Sequence, residues 1–353
     1  MPKTPRRPTL GDVALRAGVS KSTAARALAR GPNVSAALRA RVLGAADELS
    51  YVPDLNARSL RAGTRHDVGV LVSNLRDHFY SELATGIESS LSAAGYNLIL
   101  ASDNADEAKE LVAVDTFAAL RVPGVIVTAV SARAVQKLRR SGVLVVQADR
   151  VVAEGVSDAV VSANQAGAYS ATAHLLEAGH RRIAMLIDEV KWTTGAGRLH
   201  GFREAHSAYG VPVDESLIVF VGADLGSARH EVGRLLDTYP GLTAILAANS
   251  VLTEGAFLEL QSRGLRLPEQ MSIVGYDDVP WMAMVRPAVT TVSQHADEIG
   301  RCCADLLVRR MRDDSDSPPI SLSVSPTLIE RDSVHRISDT RVEPVIASAA
   351  GSP

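Results

Sequence analysis

Lys21, Ser22 and Arg26, in the stretch "GVSKSTAARAL", have the types and spacing to hydrogen-bond the edges of DNA bases. Arginine and lysine donate to the guanine acceptors of the major groove, and a serine hydroxyl bonds several base edges. The three fall on one side of a helix and have no apolar work to do. The motifs of catalysis are missing by contrast. "TTGAGR" lacks the GK[ST] ending of a phosphate loop, no strand is followed by GxGxxG, and no GxSxG elbow occurs. The nine histidines are scattered without metal-ligand spacing. Cys302 and Cys303 are adjacent, which suits neither a disulfide framework nor a metal site, and they read as helix residues with one buried. The expectation is a protein that is not an enzyme and needs no cofactor or metal.

The elements that must hold these residues are short helices. Thr9 with Asp12 is a helix-start signal, after which Leu10, Val13, Ala14 and Ala17 line one face. Gly18 breaks that helix and Ser20 caps a second, where Thr23, Ala24, Ala27 and Leu28 continue the spacing. Two helices joined by a tight glycine turn make a helix-turn-helix. A third begins around Ser35, with Leu38, Val42, Ala45, Ala46 and Leu49 facing inward. Pro53 stops it, and a short amphipathic segment from Leu55 to Leu60 follows, flanked by Arg58, Arg61 and Arg65. Leu60 has the character of an apolar wedge for a minor groove. Charge is segregated to match: the first 65 residues hold 12 Lys/Arg against 4 Asp/Glu, the remainder 25 against 36. A basic head on an acidic body implies contact with a polyanion at one end only.

From Val68 the texture changes to strands of Val, Ile and Leu alternating with amphipathic helices. "VGVLVSN", "YNLILAS", "VPGVIVTA", "GVLVVQADR", "AVVSAN", "RRIAMLID", "LIVFVG", "TAILAAN" and "MSIVGYDD" read as strands. Helices are predicted around Glu82–Ala94, Ala105–Leu120, Gln165–Ala178, Gly197–Tyr209, Ser227–Tyr239 and Val251–Arg263. This alternation implies two α/β lobes with parallel sheets covered on both faces, and a ligand at the strand carboxyl ends in the crevice between them. With 353 residues and 46% apolar content the chain can bury a large core. No run approaches the length of a membrane span, and the start lacks a secretory apolar run, so the expected location is the cytoplasm.

In combination, several motifs resemble the LacI/GalR family of bacterial transcription regulators. They are "TLGDVALRAGVSKSTAARAL", "YVPDLNARSLRAG", "GVLVSNLRDHFYSEL", "GHRRIAML", "TTGAGRLHGFREA" and "MSIVGYDDVPWMAMVRPAVTTVSQ", running in order from about Thr9 to Ser333. The resemblance implies an all-α helix-turn-helix head over 1–52, a hinge helix and linker over 53–66, and a periplasmic-binding-protein-like body over 67–334. The body would divide into one lobe of about 67–163 and 293–324 and another of about 164–292 and 325–334, before a disordered tail over 335–353. Lys21, Ser22 and Arg26 match base-reading positions, Thr23 and Ser35 match phosphate contacts, and Asn56, Arg58, Leu60 and Arg61 belong to the minor-groove hinge. The effector pocket carried over is Phe79, Tyr80, Asp149, Thr194, Arg198, Leu225, Asn249, Asp277 and Gln294. In it Asp277 accepts from hydroxyls, Arg198 donates to ring or hydroxyl oxygens, and Phe79 and Tyr80 pack on a ring's apolar face.

The partners so implied are operator DNA, a small-molecule effector of sugar type, and a second copy of the chain in a dimer or tetramer. The function implied is a ligand-responsive repressor of carbohydrate genes on a near-palindromic operator. The alternatives are a regulator answering to a nucleobase, nucleoside or other ligand, and a sugar-binding protein without a DNA role. The chain departs from the family pattern in several places: Ser250 stands where an Asp usually follows the Asn, "DHFY" replaces an Asn-Pro-aromatic-aromatic run, and in the head Ala29 stands where an Asn is common and Ala25 where a Ser is frequent.

Overall fold

Hydroxyl caps set the starts of the head helices. Helix α1 (Leu10–Arg16) opens on a capping box in which Thr9 and Asp12 bond each other's backbone N–H groups. Helix α2 (Lys21–Leu28) begins where Ser20 Oγ accepts the Thr23 N–H at 3.2 Å, and α3 (Ala36–Glu48) where Ser35 Oγ accepts that of Leu38 at 3.3 Å. Gly18, at φ +64°, makes the turn between the first two, a conformation open to glycine at little cost. Val13, Ala14, Ala17, Ala24, Ala27, Val42, Ala45 and Ala46 form one small core. Leu38, expected inside it, is only half-buried.

The computed structural model describes residues 8–29, 34–51, 66–188, 190–222, 224–312 and 317–337. It divides into two units, Met1–Arg65 and His66–Pro353. The expected hinge residues Asn56, Arg58, Leu60 and Arg61 lie outside the described residues.

The second unit holds two six-stranded sheets. The first comprises β1 (Asp67–Val72), β2 (Asn97–Ser102), β3 (Gly124–Val127), β4 (Leu144–Ala148), β5 (Asp158–Ser162) and β11 (Ser321–Val324), in the order β11-β5-β4-β3-β1-β2. The second comprises β6 (Ile183–Ile187), β7 (Ile218–Phe220), β8 (Ala244–Ala247), β9 (Ser272–Tyr276), β10 (Thr290–Ser293) and β12 (Thr327–Ile329), in the order β12-β10-β9-β8-β6-β7. All pairings are parallel except β10 with β12, which closes the second sheet with an antiparallel edge. The chain therefore passes between lobes after β5, after β10 and between β11 and β12.

Helices cover both faces of each sheet, which is why β3, β6, β8 and β9 are buried along their whole length. On the first sheet, α4 (His78–Ala93) and α12 (Ala296–Arg312) pack on one face, α5 (Glu107–Leu120) and α6 (Ala132–Arg140) on the other. On the second, α7 (Asn164–Glu177) and α8 (Thr193–Ala208) face α9 (Leu225–Thr238), α10 (Ser250–Ser262) and the short α11 (Trp281–Met284) across the strands. Glycines let two helix pairs approach closely. A Cβ at Gly300 of α12 would stand 2.2 Å from the Leu83 carbonyl oxygen, and one at Gly201 of α8 2.1 Å from that of Gln165.

In the first lobe a buried ion pair ties the end of α12 to the sheet. Arg310 donates twice to Asp158 at 2.8 Å, and also to the carbonyls of Ser317 and Pro318, while Ile320 N–H donates to the same carboxylate. All polar atoms of the pair nearest the core are thus engaged, as buried charge requires.

Four readings from sequence need correction. The helix expected from Glu82 begins at His78, because the Asp77 carboxylate accepts the Phe79 N–H at 3.0 Å and caps it. The helix expected from Gly197 begins at Thr193. Helix α6 was not anticipated; Ser131 caps it, and the buried Glu110 carboxylate holds Ser131 and the Val130 N–H. Ordered packing also runs past Val334: His335 N–H donates to Ser272, and Ile337 N–H to the Ala178 carbonyl.

Candidate functional site

In the head, Lys21, Ser22 and Arg26 are exposed on the side of α2 opposite the buried Ala24 and Ala27. Arg26 Nε donates to the Ser22 carbonyl at 3.4 Å and Ser22 Oγ lies 2.9 Å from Ser20 Oγ, contacts that hold both side chains along the outer face of the helix. Thr23 and Ser35 are engaged in helix starts: the Thr23 hydroxyl lies 2.8 Å from Ser20 Oγ, and Ser35 caps α3. Such positions put hydroxyls beside free N–H groups at helix N-termini, where phosphate oxygens are well received.

In the body, the site is built at the carboxyl ends of the parallel strands, where the two lobes meet. Each sheet delivers an aspartate in the same way. Asp149 follows β4 at φ +68° and Asp277 follows β9 at φ +80°, left-handed conformations that cost a non-glycine residue energy and that cluster at functional sites. Arg198, on α8, is 7% exposed. Its Nε donates to Asn164 Oδ1 at 2.7 Å, its Nη1 to the Ala248 carbonyl and its Nη2 to Gln294 Oε1 at 3.1 Å, and the guanidinium stacks 4.3 Å from the Tyr276 ring centre. Gln294 then donates to Asp277, so arginine and aspartate are linked through the amide and not by a direct hydrogen bond. The second Asp277 oxygen accepts the Ser250 N–H at 2.9 Å.

From the first lobe, Tyr80 donates its hydroxyl to Asp149 at 3.4 Å and receives Arg150 at 2.6 Å. Burial lifts the Asp149 and Asp277 carboxyls above their ordinary range, with Arg150 and Arg198 opposing the rise at the first and Arg198 at the second. Burial likewise pushes the Tyr80 phenol upward. Hydrogen bonds also run from lobe to lobe: Ser250 Oγ donates to Asp77 at 3.2 Å, and Val151 N–H to Thr193 Oγ1 at 3.2 Å.

The structure thus gathers Arg198, Gln294 and Asp277 into one hydrogen-bonded set and Tyr80 with Asp149 into another, and Asp149 acts on Arg198 and Asp277 electrostatically. Asn249 adjoins the first set as the cap of α10, its Oδ1 occupied by the Leu252 N–H. Phe79 is 5% exposed within the first-lobe core, edge-on to Tyr80, so its ring is mostly a packing element. Thr194, half-buried in the first turn of α8, and Leu225, 36% exposed at the start of α9, stand outside the hydrogen-bonded set. A hollow of about 1080 Å³ opens beside these residues, lined by Asp149, Asn164, Tyr169, Thr193, Glu204 and Ile320 among others. A smaller one of about 130 Å³ reaches Phe79, Asp277 and Gln294.

Sequence reasoning missed Arg150, Asp77 and Trp192. Arg150 is 2% exposed, donates to Ser73 and Tyr80, and stacks 4.0 Å from the Trp192 ring centre across the lobes. Its Nε and Nη1 are buried without a hydrogen bond, and Nε forms an ion pair with the Asp149 carboxylate at 3.7 Å. The one signal in the sequence was its place: a charged residue directly after an apolar strand run.

Two family models match the chain: "Bacterial regulatory proteins, lacI family" over residues 9–54 and "Periplasmic binding protein-like domain" over 172–334. The HTH-type transcriptional regulator DegA of Bacillus subtilis is 32% identical over 297 residues, covering 83% of this chain and 88% of DegA. The chain belongs to the LacI family. The ribose operon repressor of Escherichia coli, another LacI-family relative, is 30% identical over 332 residues, covering 92% of this chain and 99% of its own. Among solved structures, the transcriptional regulator CelR–cellobiose complex is 31% identical with a TM-score of 0.71, covering 93% of this chain and 100% of that one. As a LacI-family regulator, this chain joins a DNA-binding head to a two-lobed body with its polar network between the lobes. Among the described residues no helix is long and apolar enough to cross a membrane.

Proposed function

We propose that this LacI-family regulator is a sugar-responsive repressor that binds a near-palindromic operator as a homodimer and controls carbohydrate genes. The observation that carries the reading is the interlobe network: Arg198, Gln294, Asp277 and Asp149 converge at the strand carboxyl ends. Carboxylates, an amide and guanidinium donors in one cleft match the alternating donors and acceptors of a polyhydroxylated molecule. In this reading Lys21, Ser22 and Arg26 touch base edges, and Thr23 and Ser35 orient the head on phosphates. Asn56, Arg58, Leu60 and Arg61 form the hinge, with Leu60 entering the minor groove. A ligand that favours one lobe arrangement shifts operator affinity by linkage, and DNA shifts ligand affinity by the same factor. The names of the ribose operon repressor and of the cellobiose complex support a sugar effector here.

A thermal-shift screen of the full-length protein against sugars, sugar phosphates, polyols, nucleosides and purine bases tests this. A ligand at about 100 times its dissociation constant adds roughly 2.7 kcal/mol of stability. The expected result is a stereoselective sugar response lost in Asp277→Ala. A response to purine bases alone would replace the sugar reading with the nucleobase one.

A further inference from the structure

Charge balance in the interlobe cleft narrows the class of ligand, and this inference rests on the reading of that cleft as the effector site. Four carboxyl groups act on one another there: Asp77 and Asp149 from the first lobe, Asp188 and Asp277 from the second. Two buried guanidinium groups oppose them, Arg150 and Arg198. Exposed Lys191 adds a cation over the Trp192 ring, at 4.7 Å, on which Arg150 also stacks. Nε, Nη1 and Nη2 of Arg198 each donate to a neutral oxygen within the protein, so its charge serves the surrounding aspartates. Arg150 alone keeps buried unpartnered donors, yet its Nε is 3.7 Å from the Asp149 carboxylate. An oxygen placed against Arg150 therefore meets a donor with more carboxyl than guanidinium groups around it.

We infer that the cleft takes an uncharged, hydroxyl-rich ligand and rejects the phosphorylated or carboxylated form of the same molecule, with Asp77 a determinant of that selectivity. Asp77 holds its place through one backbone and one side-chain contact, accepting from the Phe79 N–H and from Ser250 Oγ. It adds a carboxylate on the first-lobe side of the cleft, facing Asp277 on the other. Like charges brought together at such a site cost several kcal/mol, which corresponds to about 100-fold or more in affinity.

Calorimetric titration of the full chain tests this with matched probes: ribose, glucose, galactose and cellobiose, the phosphate esters of the same sugars, and their aldonic or uronic acids. The titrations are made near pH 8, where Asp77 is ionised. The expected result is that at least one neutral sugar binds and its charged forms bind about 100-fold more weakly or worse. Asp77→Asn keeps the acceptor oxygen and removes the charge, and the discrimination should narrow by about tenfold. A phosphate ester or sugar acid binding as tightly as its parent overturns the charge inference while leaving a sugar-responsive regulator intact. Failure of every probe, charged and neutral, overturns the sugar reading itself and this inference with it.

Discussion

Lowering the pH should draw the two lobes of the body together. Asp77 is pushed from 3.8 up to about 7, by burial first and by Asp277 next, with Asp149 adding to the rise and the bonds from Phe79 and Ser250 opposing it. The charged and titratable groups around it are Tyr80 and His78 on its own helix, Asp149 and Arg150 at the end of β4, and Asp277 and Arg198 from the other lobe. Burial and Asp277 of the other lobe are the two largest causes, so in the limit where lobe opening exposes it fully Asp77 returns to its ordinary value. Contact between the lobes then takes up a proton. The stabilisation of the closed form is complete below about 3.8 and is lost as pH rises through about 7. Between pH 8 and pH 5 the closure constant should rise by roughly 100-fold, and the affinity of any ligand that requires closure should follow. Asp149 and Asp277, also raised, add to the effect with the same sign. Calorimetry in buffers of different ionisation heat measures the proton directly: uptake of nearly one proton per ligand bound near pH 6, reduced in Asp77→Asn. An affinity flat from pH 8 to 5, or an unchanged uptake in that variant, would refute the reasoning.

Four substitutions probe other parts of the account. Arg310→Ala leaves the Asp158 carboxylate buried and short of its two strongest donors, and thermal or denaturant unfolding should show a loss of about 3–5 kcal/mol. Gly300→Ala forces α4 and α12 apart, because its methyl would meet the Leu83 carbonyl, and should cost at least about 1–3 kcal/mol by the same measurement. Arg26→Ala should cost about 1–3 kcal/mol on the preferred DNA sequence and relax selectivity at one base pair per half-site; an equal loss on every sequence would make Arg26 a phosphate contact. Leu60→Ala should weaken operator binding and leave ligand titrations unchanged, and an unaltered operator affinity would remove the hinge from the mechanism.

The fold was legible where local physics decides it. Thr9 with Asp12, Ser20 and Ser35 announce the head helices because a cap is a contact between residues two or three apart. The strands of the body stand out because burial on both faces leaves unbroken apolar runs such as Ile183–Ile187. Helix α6 escaped notice because only Ala134, Val135 and Leu138 face inward, between two much stronger strand signals and amid four Lys/Arg residues. The early start of α4 depends on a side chain, Asp77, folding back onto Phe79, and "DHFY" gives no apolar period to reveal it. The site was half legible. Asp149, Arg198, Asp277 and Gln294 were reached by resemblance; the last three share hydrogen bonds, and Asp149 stands beside them at the end of its own strand. Arg150 was not, since its neighbours Ser73, Tyr80 and Trp192 come from 77, 70 and 42 positions away and meet only through sheet order and the lobe crossing.

The central claim is that ligand in the cleft and DNA at the head are energetically coupled. Its most direct test is an anisotropy titration of the full-length protein on the duplex it selects from a random pool, with and without a saturating concentration of the sugar that stabilises it. The account predicts a near-palindromic selected sequence and a change in operator affinity of about 5- to 150-fold, matched by an equal change in sugar affinity when DNA is saturating. Identical operator affinity with and without that sugar, or selection of no sequence at all, would contradict it.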